Sequence, residues 1–501
     1  MLKQRFLVHF GTNFITHFLG IIAGIVVARI AGPSVVGVLS YGTAYVSILA
    51  FITGIFGSAH IKLVSEGRDQ SSCLAVYRRL RGISAIIYFL ATLAMFLIQK
   101  YLLNYQFESK EIQIVILLSL LAHFLSLYEG YTNVIYTANL KQAKANLPNF
   151  YRNIAWHVGR VVIVILGFRA VTLASYNLAL SCLVTLYCAY LLKEFPRGKY
   201  DKKLAKDYIR ISIPALIIVI VNNITHYADK LLLAHYTNTT QLGYYSAAFS
   251  LGGMFMLIAM PVSNIFFPLF SKMISMNNWE GVNINIFKYQ EFIILFLFPI
   301  MCILAITIKD PLLLVLGKRY KPSVTPLIIL LFSTYIVLLV LPYGNVITGM
   351  GKFYIYAWTN VIKLVIFIIS ITVFVSPRFL NLGATGLALN QLVLNLTGNL
   401  VYLFYVMNYG KVRLFMKNNI RHLVIILISF AAFLGSKYIK NTYEYWWLFY
   451  IPLYLIVCYG ILIKFKLIGK EHWLLLTEAL NIKKTLNYAK DEMSNRDVKN
   501  N

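Results

Sequence analysis

The chain has 501 residues, of which 59% are hydrophobic and only 13% are charged. A soluble protein carries about 25% charged residues, so this composition excludes a water-soluble globular protein. The formal net charge of +28 would suggest a nucleic-acid partner in a soluble protein, but basic residues of membrane proteins concentrate in cytoplasmic loops. We therefore expect an integral membrane protein with no nucleic-acid partner.

Continuous apolar runs of about 20 residues recur along the chain, as membrane-spanning helices require. They lack the alternating polarity that is typical of a transmembrane β-barrel. We predict an all-α integral membrane fold with about 14 transmembrane helices. The predicted segments are 6–30, 35–61, 82–98, 112–136, 154–168, 172–192, 211–235, 242–265, 288–308, 325–347, 354–375, 384–407, 422–437 and 446–463.

Loop charge predicts the orientation of these helices. If the N-terminus is cytoplasmic, most lysines and arginines fall in cytoplasmic loops, as the positive-inside rule requires. An even number of helices then places both termini in the cytoplasm. The tail after Lys464 is polar and basic, and we predict a surface helix from Trp473 to Asn487 within it.

Two segments indicate an internal repeat. The segment Ala28–Ser40 lies between the first two helices, and Ala234–Ser246 lies between the seventh and eighth. Each identity between them, including Gly37 with Gly243, has the same spacing of 206 positions. We predict two six-helix bundles, residues 1–201 and 202–410, related by a parallel pseudo-twofold repeat. Residues 411–501 then form two additional transmembrane helices and the tail, and we expect a substrate site between the halves.

The seventh helix is the richest in polar residues. It carries Asn222, Asn223, His226, Asp229 and Lys230. Asn222, His226 and Asp229 follow the spacing of one helical face. One interpretation is a hydrated cavity wall in which Asp229 couples transport to a proton or a sodium ion. The alternative is an internal charge balance between Asp229 and Lys230, with polar neighbours joining helices.

Other polar residues within apolar segments are further candidates, because burying them in lipid is costly. Arg160 and Lys363 lie deep in helices five and eleven and suggest a cationic cavity. Arg29 could join them or extend to the interface. His17 and Glu129 are candidate cavity or coupling residues, and packing between helices is the alternative for both.

No Walker motif, zinc cluster or nucleophile elbow occurs in the sequence. We therefore expect no cofactor, no metal site and no catalytic residue, and we expect that the chain is not an enzyme.

Several short motifs resemble Wzx-type polysaccharide flippases, which belong to the superfamily of multidrug, oligosaccharidyl-lipid and polysaccharide exporters. The motifs are ARIAGPSVVGVLSYG at 28–42, HYADKLLL at 226–233, LGYYSAA at 242–248, LGKRY at 316–320 and LGATG at 382–386. Their order and spacing carry the resemblance, which extends to about residue 410.

The resemblance implies an O-antigen or capsular repeat-unit flippase of the bacterial inner membrane. Such a protein moves an undecaprenyl-diphosphate-linked oligosaccharide to the outer leaflet by ion- or proton-coupled alternating access, for polysaccharide or lipopolysaccharide biosynthesis. It also implies a cationic lumen, for which this chain offers Arg29, Arg160, Lys230 and Lys363. Its partners would be the lipid-linked substrate, membrane lipid and other polysaccharide-assembly proteins.

Three alternatives remain open at this point. A MATE-type exporter of cationic drugs would favour carboxylates in its cavity, whereas cations outnumber acids in these helices. A membrane polysaccharide polymerase or ligase would carry a long external loop with catalytic Arg or His. The third alternative is a scaffold with no transport activity.

Overall fold

A computed structural model describes residues 2–196, 198–409, 412, 416–440 and 445–469, whose regular secondary structure is helical. The predicted surface helix Trp473–Asn487 lies outside these residues. The helices of the first half are α1 (Leu2–Ser47), α2 (Phe51–Gly54), α3 (Gly57–Ser65), α4 (Gln70–Leu97), α5 (Lys110–Ala138), α6 (Gln142–Ile165) and α7 (Ala170–Leu191). The remaining helices are α8 (Lys202–Tyr236), α9 (Thr239–Gly252), α10 (Ala259–Ser275), α11 (Trp279–Phe292), α12 (Phe298–Thr307), α13 (Lys309–Leu316), α14 (Val324–Gly349), α15 (Phe353–Val375), α16 (Gly383–Tyr409), α17 (Met416–Ile439) and α18 (Trp446–Lys464).

The protein is an all-helical membrane protein. Ten helical stretches within the described residues are long and apolar enough to cross a bilayer. Helix α6 is not among them, because it carries charged and amide side chains such as Arg152, Asn153 and Arg160. Each of the fourteen predicted segments overlaps at least one helix, but the number of spans stays a prediction.

Helix α1 consists of two arms that meet at Gly32. This residue has φ of 83° and ψ of 175°, a conformation that glycine adopts without the penalty of a side chain. Pro33 follows and occupies the first turn of the second arm, where its missing N–H is not needed. The chain therefore changes direction at the predicted boundary between the first two apolar segments.

The second arm of α1 crosses helix α9 at very short range. A Cβ atom added to Gly37 would lie 1.7 Å from the carbonyl oxygen of Thr239, and one added to Gly243 would lie 1.8 Å from that of Pro33. Gly37 and Gly243 are 206 positions apart, and so are Pro33 and Thr239. The contact is therefore reciprocal between residues that the predicted repeat pairs.

A second local structure recurs further along the chain, in the turns before α6 and α15. Leu140 and Gly351, which are 211 positions apart, both have positive φ, at 57° and 72°. The next residues, Lys141 and Lys352, each donate a backbone hydrogen bond to the carbonyl five residues earlier, at 2.9 and 3.2 Å. The same C-cap ends other helices, at Gly67, Gly167, Asn277 and Lys466. Its position before both α6 and α15 fits the predicted repeat with a local spacing of 211 positions.

The last two described helices, α17 and α18, pack against each other and against α12. Arg421 of α17 has no exposed surface and forms an ion pair with Glu291 of α11. Its Nε also donates to the carbonyl of Leu467 at 3.2 Å. A buried charge is stable only when it is paired, so this contact anchors the terminal helices.

We expect Gly37→Ala and Gly243→Ala each to destabilise the protein by about 1–3 kcal/mol, since the added methyl meets backbone that moves only with its helix. Gly82→Ala is the matched control, because an added Cβ there has no neighbour within 4 Å. The measurement is the thermal midpoint of the detergent-purified protein. Equal midpoints for all three variants would contradict the tight crossing.

Candidate functional site

A cavity of about 620 Å³, which we call the central cavity, lies where α1 and α6 face α8 and α9. Three predicted site residues line it, namely His17, Arg160 and Lys230. Its other polar lining residues are Thr16, Ser40, Thr43, Trp156, His157, Tyr227, Ser246 and Ser250. The described lining residues include no Asp or Glu, so the charge of this wall is positive.

Arg160 reaches this cavity because the facing arm of α1 carries glycines. Its Nη2 donates to the carbonyl of Gly20 at 2.6 Å, and the same atom lies 3.8 Å from where a Cβ on Gly24 would be. A Cβ on Gly20 would lie 3.1 Å from Nε2 of His157. The absence of side chains on α1 therefore makes room for both groups of α6.

Several polar atoms around the central cavity are left without partners in the protein. Nε of Arg160, Nδ1 of His157 and Oγ of Ser246 are buried and make no hydrogen bond. Buried polar atoms are normally bonded, because an unmade hydrogen bond costs about 1–3 kcal/mol. These unmade hydrogen bonds favour water or a polar ligand at the cavity wall over an apolar ligand.

Lys230 lies at the cavity beside aromatic rings. Its Nζ donates to the carbonyl of His226 at 3.1 Å and lies 5.2 Å from the ring of Tyr227 and 5.6 Å from that of Phe249. Asp229 is only 2% exposed, and its Oδ1 accepts the backbone N–H of Lys230 at 2.6 Å. The structure shows no ion pair between these two side chains, so the Lys230 ammonium is not in direct contact with the Asp229 carboxylate.

A second cavity, of about 380 Å³, lies between α8, α15 and α16. We call it the amide cavity. It is lined by Asn222, Asn223, Thr225, His226, Tyr227, Asn360, Lys363, Gln391, Leu394 and Asn395. Tyr227 lines both cavities, so the two are neighbours. Four predicted residues, Asn222, Asn223, His226 and Lys363, therefore lie in the amide cavity.

Arg29 lines neither cavity, although its neighbour Ala28 lines the central cavity. It donates to the carbonyl of Leu314 and, at 3.1 Å, to that of Val315. These carbonyls belong to the last turn of α13, where a cation interacts favourably with the helix dipole. Arg29 thus joins the first half of the chain to the second near Gly32, and its predicted contact with substrate stays a prediction.

Glu129 also lies outside both cavities, within the first half. Nη1 of Arg152 pairs with its Oε2 at 3.3 Å, and Nη2 of Arg152 donates to Asn177 at 3.2 Å and to Ser181 at 3.4 Å. Glu129 is 7% exposed. It is therefore part of a packed polar network between α5, α6 and α7.

Sequence reasoning missed several of these residues. The predicted fifth segment begins at residue 154 and leaves Arg152 in a cytoplasmic loop, but α6 begins ten residues before Arg152, at Gln142. Sequence reasoning did not single out His157, although this residue is one helical turn from Arg160. The sequence leaves two interpretations for amides such as Asn360 and Asn395, namely contacts between helices or contacts with sugar hydroxyls in a wet cavity. Both residues line the amide cavity, and Asn395 also donates to Ser333 of α14.

We expect Glu129→Gln to lower the stability of the protein, because it leaves Arg152 buried without its counter-charge. Breaking such a pair costs about 3–5 kcal/mol when both charges are fully buried, and less here because Arg152 is partly exposed. The double variant Glu129→Leu with Arg152→Met should recover much of the loss in thermal midpoint. A Glu129→Gln protein as stable as the wild type would refute the role of the pair.

Solved structures with a similar fold are transporters. The lipid II flippase MurJ in an inward closed conformation aligns with a TM-score of 0.70 and 18% identity, over 92% of this chain and 99% of that chain. An inward-facing multidrug resistance MATE family transporter aligns with a TM-score of 0.62 and 14% identity, over 79% and 96%. A MOP superfamily transporter from Pyrococcus furiosus aligns with a TM-score of 0.51 and 12% identity, over 81% and 94%. The chain therefore shares the fold of these transporters.

Residues 26–325 match the family model described as polysaccharide biosynthesis protein, whereas no curated protein sequence matches the chain. The matched region is more than half of the 501 residues. The chain therefore belongs to the polysaccharide biosynthesis protein family and has the fold of MOP superfamily transporters.

Proposed function

We propose that this protein flips an undecaprenyl-diphosphate-linked oligosaccharide from the cytoplasmic to the outer leaflet of the bacterial inner membrane. The glycan would serve the assembly of O-antigen, capsule or another surface polysaccharide. The observation that carries this proposal is the central cavity, whose wall holds Arg160 and Lys230 and no described carboxylate. Membership in the polysaccharide biosynthesis protein family supports the glycan part of the substrate.

A diphosphate is the chemical group that this wall fits. Two unit charges 4 Å apart attract by about 4 kcal/mol at an effective dielectric constant of about 20, against about 1 kcal/mol in water. Arg160 has an unpartnered Nε, and guanidinium groups bind phosphate oxygens with good geometry. The lipid tail would stay in the bilayer while the head group occupies the cavity.

Alternating access is the transport mechanism that we infer. The two bundles, residues 1–201 and 202–410, would rock against each other around the central cavity, with α17 and α18 as an additional pair. Contacts between the halves near Gly32 support a state that is closed at this end. Besides Arg29, the carboxylate of Glu108 contributes, because it accepts the N–H of Thr239 at 2.7 Å. With both termini cytoplasmic, this end faces the outside.

Coupling to a proton or a sodium ion would involve Asp229 and His226. Asp229 is a buried carboxylate that directly precedes Lys230 in the sequence, and His226 lines the amide cavity. Charge changes at these positions would favour one state only if they interact differently with the two states. The alternative of a cationic-drug exporter has less support, because cations repel cationic substrates from the central cavity.

We expect Arg160→Gln and Lys230→Gln each to reduce surface polysaccharide at least about tenfold, since losing a hydrogen bond to a charged group costs about 1.5–3 kcal/mol. The assay is complementation of the host strain that lacks this protein. Arg169→Gln is the control, because Arg169 is exposed and lines neither cavity.

Membrane content of each variant is checked by immunoblot. Normal export by both cavity variants would reject the cationic cavity as the diphosphate site.

A further inference from the structure

The amide cavity offers different chemistry from the central cavity. Its wall contains five carboxamide side chains and one lysine. The carboxamides are Asn222, Asn223, Asn360, Gln391 and Asn395. Each carboxamide both donates and accepts hydrogen bonds, as sugar hydroxyl groups do. This wall therefore matches a glycan better than it matches a phosphate.

The NH2 group of one of these carboxamides makes no hydrogen bond within the protein. Asn360 is 6% exposed, and its Nδ2 is buried without a hydrogen bond. By contrast, Nδ2 of Asn395 donates to Oγ of Ser333 at 2.9 Å. An unpaired buried donor is costly, so a ligand that reaches Nδ2 of Asn360 would gain a hydrogen bond that the protein does not supply.

Lys363 is an uncompensated cation in the same wall. The structure assigns it no hydrogen bond or ion pair with any residue that it describes. The recurring turns at Leu140 and Gly351 align α6 with α15 at a spacing of 211 positions. At this spacing Lys363 corresponds to Arg152. It does not correspond to Arg160, the other cation that the sequence places deep in an equivalent helix. The two halves can therefore be compared position by position.

The two halves differ in charge at the position that faces this cation. Arg152 is neutralised by Glu129 in the first half. The position that corresponds to Glu129 in α14 is Val340, which carries no charge. A lysine within a membrane-spanning helix is expensive, and its retention without a counter-charge points to a functional role.

The neighbouring helix also leaves space for this lysine. A Cβ atom on Gly398 of α16 would lie 2.8 Å from Cε and 3.0 Å from Nζ of Lys363. Any larger residue at position 398 would displace the ammonium group. The glycine therefore lets Lys363 hold its charge at the cavity.

We propose that the amide cavity binds the glycan of the lipid-linked substrate, with Lys363 receiving the carboxylate of an acidic sugar. This inference rests on the proposed function, in which the central cavity holds the diphosphate. The shared wall at Tyr227 places the two sites side by side, as a diphosphate and its attached sugars require. Hydroxyl groups of the sugars would bond the carboxamides, including Nδ2 of Asn360.

The test measures binding of three probes to the full-length protein in nanodiscs. The probes are undecaprenyl diphosphate and two undecaprenyl-diphosphate disaccharides that differ only in the terminal sugar, glucuronic acid or glucose. We expect the wild type to bind the glucuronic acid compound about tenfold more tightly than the glucose compound. Lys363→Met should abolish this preference and leave the affinity for undecaprenyl diphosphate unchanged.

Gly398→Ala is a second test variant. Its methyl group should displace the ammonium group of Lys363 and so weaken the preference for the glucuronic acid compound. Lys288→Met is the control, since Lys288 is exposed on α11 and lines neither cavity. Equal wild-type affinity for the two disaccharides would overturn the inference. So would a Lys363→Met protein that loses affinity for undecaprenyl diphosphate. Failure of all three probes to bind the wild type would instead contradict the proposed function itself.

Discussion

A cation within a membrane protein must be neutralised, bonded to other polar groups or exposed to water, because lipid cannot solvate it. Arg152 and Arg421 are paired with carboxylates, and Arg29 donates to carbonyls at the end of a helix. Nη2 of Arg160 donates to one carbonyl and its buried Nε makes no hydrogen bond, while Lys363 has no partner among the described residues. We infer that the paired cations stabilise the fold and that Arg160 and Lys363 serve a ligand.

The reciprocal contact of Gly37 with Gly243 gives this arrangement its geometry. Two helix backbones meet at van der Waals distance there, so the arms that wall the central cavity meet at one point of close packing. On either side of this contact the chain differs in chemistry: Arg152 forms an ion pair with Glu129, whereas Lys363 lines a polar cavity. If the predicted repeat holds, the two halves would supply two neighbouring sites of different chemistry.

Apolar runs predicted the helices well, because hydropathy over about 20 residues is a local property of the sequence. The 206-residue spacing also pairs Gly37 with Gly243, which are in close contact. Of the predicted polar face of helix seven, Asn222 and His226 line the amide cavity while Asp229 lines neither cavity, and the role of all three stays a prediction. Other features depend on packing between distant segments. The pairing of Glu129 with Arg152 and the contact of Arg29 with α13 follow from neighbours 23 and 285 residues away. The equivalence of Lys363 with Arg152 required the turn geometry, since the spacing of the repeat changes along the chain.

The central claim is that the space beside Arg160 and Lys230 holds the diphosphate of a lipid-linked glycan. Electron cryomicroscopy of the protein in nanodiscs containing undecaprenyl diphosphate tests it most directly. Density for the two phosphates is expected in the central cavity, within hydrogen-bond distance of the Arg160 guanidinium. Density for the head group at another surface, with a central cavity that contains only water, would rule out this cavity as the diphosphate site.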